Sequence, residues 1–498
     1  MDFTDRLACS GPTPVFSPDR RLLASADGYR LVVRDADSLA VVALASCLDR
    51  VESIAWSPDS DHLLCGLFRR ATVQVFCASD PDWACTIAEG PAGVTAARWA
   101  PDGRHILLTA DFNVRLAVWS LVDQACQYLR GPKHAATGLA FSPDGALLAV
   151  LHRSDCKDSL TIYDSATWAP RAQWALPTAD AADLAWSPDG TCLAVWESAL
   201  HGHQLAVYTP DGECLASHSG YSQMLGIKTV AWSPSGQLLA LGDYEQGATV
   251  LNHVTWSPLA QWGHPGVVRG PPSVVAYSEV VEDAARGVVA EGTQPPCMSR
   301  LGSRGGARPG SRPGSRPGSR TGSPVKQQPS PTKHLGGSPS KAGQELDLEG
   351  DEGGELAPTK SRYVVAQLPV RLPALRPLAG QPNPKLGVGS VAWSHDGSYI
   401  ATRCDSQPTA VWIWDTATLE LASLLLQARP VRAASWCPAT NRLVVCTGEP
   451  KLFLWTPDGA SCVHIPLPGF RASGLVWHSE GSSLVLTARD AFCCAYFG

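Results

Sequence analysis

An all-β propeller of about nine four-stranded blades, closed by its own N-terminal strand and broken by one long disordered insertion, is the fold this sequence predicts. Three observations lead there. An aromatic residue followed by a Ser-Pro-Asp-Gly-like turn recurs nine times, starting at Phe16, Trp56, Trp99, Phe141, Trp186, Trp232, Trp393, Trp436 and Trp477. The starts lie 40, 43, 42, 45, 46, 161, 43 and 41 residues apart, and all but the longest interval match the ~40–45-residue period of a propeller blade. The chain, at 498 residues, exceeds the ~250–300 residues at which a single core stops growing. Stacked repeats remove that limit, because each sheet packs only on its neighbours.

The unit from Gly226 to Gln261 shows how one blade forms. Thr229–Trp232 alternates polar and apolar residues, as a half-buried strand does. Ser233-Pro234-Ser235-Gly236 is a turn, with proline presetting φ and glycine accepting a positive φ. Leu238–Leu241, Thr249–Asn252 and Trp256–Gln261 are the next three strands. The third strand has its own recurring signature: Leu31–Asp35, Val73–Phe76, Leu116–Trp119, Leu160–Asp164, Leu205–Tyr208 and Val411–Asp415. Only the last ends in Trp-Asp, at Trp414-Asp415. The units are therefore WD-type, with the polar fastening of that repeat largely degenerate and apolar packing expected to hold most blades.

The last unit supplies three strands, Ser473–Trp477, Ser483–Thr487 and Phe492–Phe497. Phe3–Cys9 precedes the first repeat and is placed to supply the missing fourth, which would cover two sheet edges at once. Nine blades exceed the ~4–8 usual for propellers, and eight blades or two incomplete rings are the alternatives.

The interrupted interval divides the chain into 1–282 with six blade units, an insertion at 283–361 and 362–498 with three units. Pro272–Val280 and Tyr363–Leu372 read as strands of an extra hairpin. Between them, Arg308-Pro309-Gly310-Ser311 repeats twice more with Arg312 and Arg316, and Arg320 follows. Such a tract buries too little apolar area to offset the entropy of ordering, so disorder is expected from Asp283 to Ser361. From 286 to 341 ten basic residues face one acid, a net of +9, and an acidic block from Glu345 to Glu355 follows. Arg308, Arg312, Arg316 and Arg320 are candidate contacts to anionic surfaces such as tubulin tails or RNA, and a solvated loop without a partner is the simpler account of them. Ser323, Ser330 and Ser338 each precede proline and are candidate phosphosites, where added negative charge would offset the positive field.

Several chemistries are excluded or weak. The net charge of −6 gives no global attraction to nucleic acid, and no specific nucleic acid is expected as a partner. No apolar run reaches the ~20 residues of a membrane span, and the first residues lack the pattern of a secretory leader. No membrane partner is expected, and the reading is cytoplasmic. The sixteen cysteines contain no Cys-x-x-Cys pair and read as buried apolar thiols in a reducing compartment. Gly387, Gly389 and Ala392 fit a dinucleotide fingerprint, but the run leads into a blade strand at Trp393 rather than a helix. His201, His203 and Glu197 have loose metal-ligand spacing on a loop. No phosphate loop or nucleophile elbow occurs, so no catalytic residue, cofactor or metal is assigned and an enzyme is not expected.

Some stretches are more specific than a generic blade. They include Tyr29–Asp35, Pro101–Leu107, Asp155–Asp158, Leu225–Pro234, Leu251–Trp256, Gly263–Pro265, Asn383–Gly389 and Tyr399–Arg403. In these, over nearly its whole length, the chain resembles the centrosomal, spindle-pole family of WD-repeat proteins. The resemblance implies a non-enzymatic adaptor at centrosomes, spindle poles or basal bodies. It implies a coiled-coil partner of the synovial-sarcoma-breakpoint-interacting type, with a minus-end-directed kinesin or microtubules as further partners. The implied role is to anchor microtubule minus ends and to support spindle organisation and cilium assembly. The long Arg-Pro-Gly-Ser tract departs from that family. The alternatives are an RNA- or ribosome-associated propeller of the initiation-factor kind and a ubiquitin-ligase substrate receptor. Such receptors carry Trp-Asp-x-Arg, which Trp414-Asp415-Thr416-Ala417 does not match.

Overall fold

The computed structural model describes residues 1–220, 225–270, 273–282, 360–376 and 385–497. Nine of the ten sheets among them are blades, and each of the nine contains one of the aromatic-turn repeats. Strands are named a to d within a blade, in chain order. Strand a ends at the repeat's aromatic residue, as in Ser53–Trp56, Ala96–Trp99 and Ile227–Trp232. Strand b is mostly apolar and buried on both faces: His62–Leu67 and Leu238–Asp243 are each buried from their second residue onward.

The a–b turn makes the repeat visible. In blade 4 the Ser142 hydroxyl donates to Asp144 at 2.5 Å and accepts the Leu147 N–H at 2.9 Å. Gly145 closes the turn at φ +73°, where a side chain would be strained. Arg20 and Ser60 hold the same place at φ +74° and +66°, so two blades carry that strain.

The ring order is written in indole hydrogen bonds. Nε1 of each repeat tryptophan donates to the carbonyl of strand a in the preceding blade. Trp56 reaches Val15 at 3.0 Å, Trp99 reaches Ala55 at 3.1 Å and Trp186 reaches Ala140 at 3.0 Å. Trp232, Trp393, Trp436 and Trp477 reach Ala185, Ala231, Ala392 and Ser435 in turn. Trp393 to Ala231 shows that blade 7 follows blade 6 directly, so the insertion does not interrupt the ring. The two junctions without such a bond are those where the repeat begins with Phe16 or Phe141. Nine apolar clusters fill the nine junctions.

Closure follows the expected route. Asp2–Phe3 and Leu7–Ala8 both pair antiparallel with the last strand, Ala491–Tyr496. Leu23 and Phe16 of blade 1 then pack with Val485, Phe492 and Cys494 of blade 9. The alternatives of eight blades or two rings are not what forms.

The extra hairpin also forms, with shifted bounds. Val275–Glu282 pairs with Lys360–Ala366 in the register Glu282 opposite Lys360. It does not stand alone: Val275–Ser278 runs parallel to Ser423–Leu426, the outer strand of blade 7, making a six-stranded sheet. Lys360 and Ser361, expected at the edge of the disordered tract, are strand residues instead. The physical reason is burial: the Ser361 hydroxyl accepts from Lys451 Nζ at 2.8 Å, and its N–H donates to His464 Nε2 at 3.1 Å. A second pair, Val267–Val268 with Val370–Arg371, fastens the base of the insertion. Ser323, Ser330, Ser338, Arg308, Arg312, Arg316 and Arg320 lie outside the described residues. Among the described residues no helix is long and apolar enough to cross a membrane.

Candidate partner-binding face

An antiparallel blade sends its a–b and c–d turns to one end and its b–c and d–a connections to the other. With all blades aligned, the propeller has two faces of different chemistry.

On the a–b/c–d face the turns are acidic, and their carboxylates are held internally. Asp19, Asp59, Asp102, Asp144, Asp189 and Asp396 occupy a–b turns. The Ser142 hydroxyl and the Ala146 N–H hold the Asp144 carboxyl below the usual range. At the c–d turns, backbone and hydroxyl donors from Ser38 and Thr167 do the same for Asp35 and Asp164. Burial works against Asp396, yet donors from Asn441, Ser398 and Ser394 lower it strongly. Val122 and Val254 are the large apolar side chains exposed here among the described residues.

The b–c/d–a face is built differently. Tyr29, Leu48, Phe112, Val114, Leu200, Leu225, Val267 and Leu375 are all exposed in its connections. Phe112 is 96 % exposed, and it and Asn113 have φ of +57° and +55°. An aromatic residue in that backbone region is strained. The loop is braced from below. Asn113 Nδ2 donates to the Lys133 carbonyl at 3.0 Å. Under it the Glu89 carboxylate, 2 % exposed, accepts from Arg115 at 2.9 Å and from Trp119 Nε1 at 2.6 Å. The Arg115 guanidinium also lies 4.3 Å from the Tyr128 ring centroid. Phe112 is thus presented to solvent on a rigid mount, which lowers the entropy cost of gripping a partner.

Buried ion networks support the same face elsewhere. Lys133 Nζ meets Asp158 at 3.0 Å, Asp180 at 2.7 Å and the Ala181 carbonyl at 2.7 Å. Lys451, 2 % exposed, meets Glu279 at 2.6 Å and Glu449 at 3.0 Å, and so pins the added hairpin to blade 8. Burial opposes the Lys451 charge, but these two carboxylates raise its pKa above the ordinary lysine value.

At the junction of blades 6 and 7, His264 Nδ1 bonds the Gln246 carbonyl at 2.8 Å and Nε2 bonds Thr402 Oγ1 at 2.7 Å. Trp414 Nε1 donates to the same hydroxyl at 2.8 Å. Burial pushes the His264 pKa down to about 4, against the Gln246 carbonyl. The ring is neutral, with Nδ1–H donating and Nε2 accepting from Thr402. Trp262 and Trp412 stack on Trp414 at 4.7 and 5.8 Å, both at 5°. This is the polar fastening of a WD blade, found where the sequence has both Gly263-His264 and Trp414-Asp415, with the Gln246 carbonyl on Nδ1.

The other residues singled out from sequence are structural. Glu197 is buried and accepts the N–H groups of Ala179 and Asp180. His203 is buried against His218 at 5.7 Å, and His201 lies in the adjoining loop. Val388–Trp393 is strand a of blade 7, so the glycine fingerprint meets no helix. Two tryptophans in connections, Trp83 and Trp168, read from sequence as packing locally, do so, on His62 at 5.0 Å and His105 at 5.5 Å. All cysteines among the described residues are free, and burial raises the Cys493 and Cys494 thiols to about 12. Phe112 gave no periodic signal in sequence. An apolar pair in Asp111-Phe112-Asn113-Val114, where a turn would favour Gly or Pro, is the cue that could have found it.

Fold and fastening together define a WD-repeat propeller. Compared with known proteins, the chain is 38 % identical over 499 residues to WD repeat-containing protein WRAP73 of Mus musculus, covering 100 % of this chain and 96 % of that protein. The chain belongs to the WD-repeat family that includes that protein. An uncharacterized WD repeat-containing protein of Schizosaccharomyces pombe is 26 % identical over 266 residues, or 50 % of this chain and 54 % of its own. Among solved structures, the Cps50 (Swd1) β-propeller domain of Myceliophteria thermophila aligns at a TM-score of 0.37 and 16 % identity, over 54 % of this chain and 91 % of that one. No protein-family model matches the chain.

Proposed function

We propose that this protein is a non-enzymatic adaptor at the centrosome, spindle pole or basal body, and that its b–c/d–a face holds a coiled-coil partner. The observation that carries the reading is Phe112, almost fully exposed on a loop braced by Asn113, Glu89 and Arg115. An apolar helix stripe recognises such a surface by seating its side chains around a rigid aromatic anchor. The full-length similarity to a WD repeat-containing relative supports a scaffold role. The sequence resemblance supports the location, the partner type and a role in anchoring microtubule minus ends.

Affinity purification from dividing cells tests this. The wild-type chain is expected to retain a coiled-coil spindle-pole protein, and the F112A/V114A double variant to lose it. Retention of ribosomal proteins instead, by both forms, would point to a translation-associated propeller and overturn the proposal.

A further inference from the structure

Blade 2 departs from four of its siblings at one register of the a–b/c–d face. The first residue of strand b faces the last residue of strand c across the ladder. The pairs are Leu22 with Asp35, Leu147 with Asp164, Leu238 with Asn252 and Tyr399 with Asp415. In those blades an apolar or aromatic side chain covers the sheet end, and a carboxylate or amide caps the c–d turn. Asp35, Asp164 and Asp415 each accept backbone N–H groups two and three residues on. In blade 2 the pair is His62 with Cys77. The capping carboxylate is gone, a thiol stands in its place, and an imidazole faces it.

A third ligand type joins them. Asp61, just before His62, aims its carboxylate into the same corner. Its Oδ1 lies 3.6 Å from Cys77 Sγ, and its Oδ2 lies 4.0 Å from His62 Nδ1. All three ligand atoms lie within 4.8 Å of one another. A tetrahedral zinc with Zn–S of ~2.3 Å and Zn–N or Zn–O of ~2.0–2.2 Å needs ligand separations of about 3.4–3.6 Å. One edge already has that length, and the other separations, none above 4.8 Å, leave side-chain rotation to close the rest. The Ser79 hydroxyl, 2.7 Å from Asp61 Oδ1 and 3.1 Å from Cys77 Sγ, stands at the fourth corner.

His62 supplies the observation that hydrogen bonding inside the cluster does not explain. Its Nδ1 is shut off from solvent and has no hydrogen-bond partner. The ring is fixed edge-to-face against Trp83 at 5.0 Å, with Trp99 at 6.3 Å. A buried imidazole nitrogen without a partner is costly, and a cation between it and the Cys77 and Asp61 atoms would satisfy it. The next blade is a control: His105 stands at the same register but faces Ser120, and its Nδ1 is taken by Asp102.

We propose that Asp61, His62 and Cys77 form a site for a thiophilic divalent cation, zinc foremost, with Ser79 or a water completing the tetrahedron. Zinc binds Cys77 as the thiolate and displaces its proton to solvent. A cation here would replace the missing carboxylate cap and tie the a–b turn of blade 2 to its c–d turn. The site lies on the face opposite Phe112 and is independent of the adaptor reading.

The test uses the full chain with Co2+ and Zn2+ as probes. Each variant takes the residue its sibling blades carry at that register, so folding is preserved: C77S as at Ser120, and H62L as at Leu22 and Leu147. Thermal unfolding of each metal-free variant verifies folding. The wild type is expected to bind one equivalent of Co2+ with a thiolate-to-metal charge-transfer band that Zn2+ bleaches. C77S should lose the band, and H62L should weaken binding at least tenfold. A band of equal intensity in C77S, or wild-type binding no tighter than that of folded H62L, would overturn the site.

Discussion

The two faces of this propeller handle polar groups in opposite ways. On the a–b/c–d face the carboxylates are near the surface, and most are satisfied within a few residues by their own turn, as Asp144 is by Ser142 and Ala146, with Asp396 also taking Asn441 of the next blade. On the b–c/d–a face key polar groups are buried and their partners are distant: Glu279 and Lys451 are 172 residues apart, His264 and Thr402 are 138 apart. Above them the loop tips expose apolar side chains such as Phe112 and Leu200. The lesson is one of division. Local turn chemistry makes one face repetitive and self-contained, while long-range networks stiffen the other and leave its loop tips free to carry Phe112 and its neighbours.

The comparison can be broken most forcefully at Lys451. Replacing it by methionine leaves Glu279 buried without its cation and should cost about 3–5 kcal/mol, read by chemical unfolding, whereas K451M/E279L together should recover most of it. If the single variant unfolds no earlier than wild type, the network is not what holds the added hairpin.

Acid should separate the faces next. The folded pKa of His264, about 4, lies below its ordinary 6.5, so the unfolded chain binds the extra proton. The stability it contributes is full above about pH 6.5 and is lost as pH falls toward 4, by about 3 kcal/mol. His152 and His203 are also lowered chiefly by burial, so their contribution too is lost as pH falls below 6.5. Asp144, Asp35 and Asp164 are lowered too, but as carboxylates. Their contribution is present above their unfolded value of 3.8 and is lost only as pH falls below it. A pH titration of the unfolding midpoint should therefore fall in two stages, and removing the imidazole with H264Q should reduce the first without altering the second.

A smaller effect belongs to the turns. Ser142→Ala removes the bond to Asp144 and the acceptor for Leu147 and should cost about 1 kcal/mol, with no loss of partner binding. Smallest in stability is Phe112→Ala, whose side chain touches little. It should leave the unfolding midpoint within about 0.5 kcal/mol of wild type.

The difference between the faces also explains what the sequence disclosed. The a–b turns were legible because Ser-Pro-Asp-Gly acts within five residues, so blade number and order could be read from spacing, and closure by Phe3–Cys9 from the missing fourth strand of the last unit. The hairpin was legible as two strands. Its parallel docking on Ser423–Leu426 was not, because register across 148 residues leaves no local trace. The fastening of His264, Thr402 and Trp414 spans the insertion and was legible only as a Gly-His and a distant Trp-Asp. Phe112 was hidden because an exposed aromatic on a loop has no period. The corner of Asp61, His62 and Cys77 looked like an ordinary strand end and turn until the ladder set Cys77 opposite His62.

Binding by matched surface variants on both faces tests the central claim most directly. Purified wild type, F112A/V114A from the b–c/d–a face and V122A/V254A from the a–b/c–d face would be compared for capture of the coiled-coil partner retained by the wild type from dividing cells. The account predicts that F112A/V114A loses capture at least tenfold while V122A/V254A stays at the wild-type level. Loss in V122A/V254A with capture intact in F112A/V114A would contradict it.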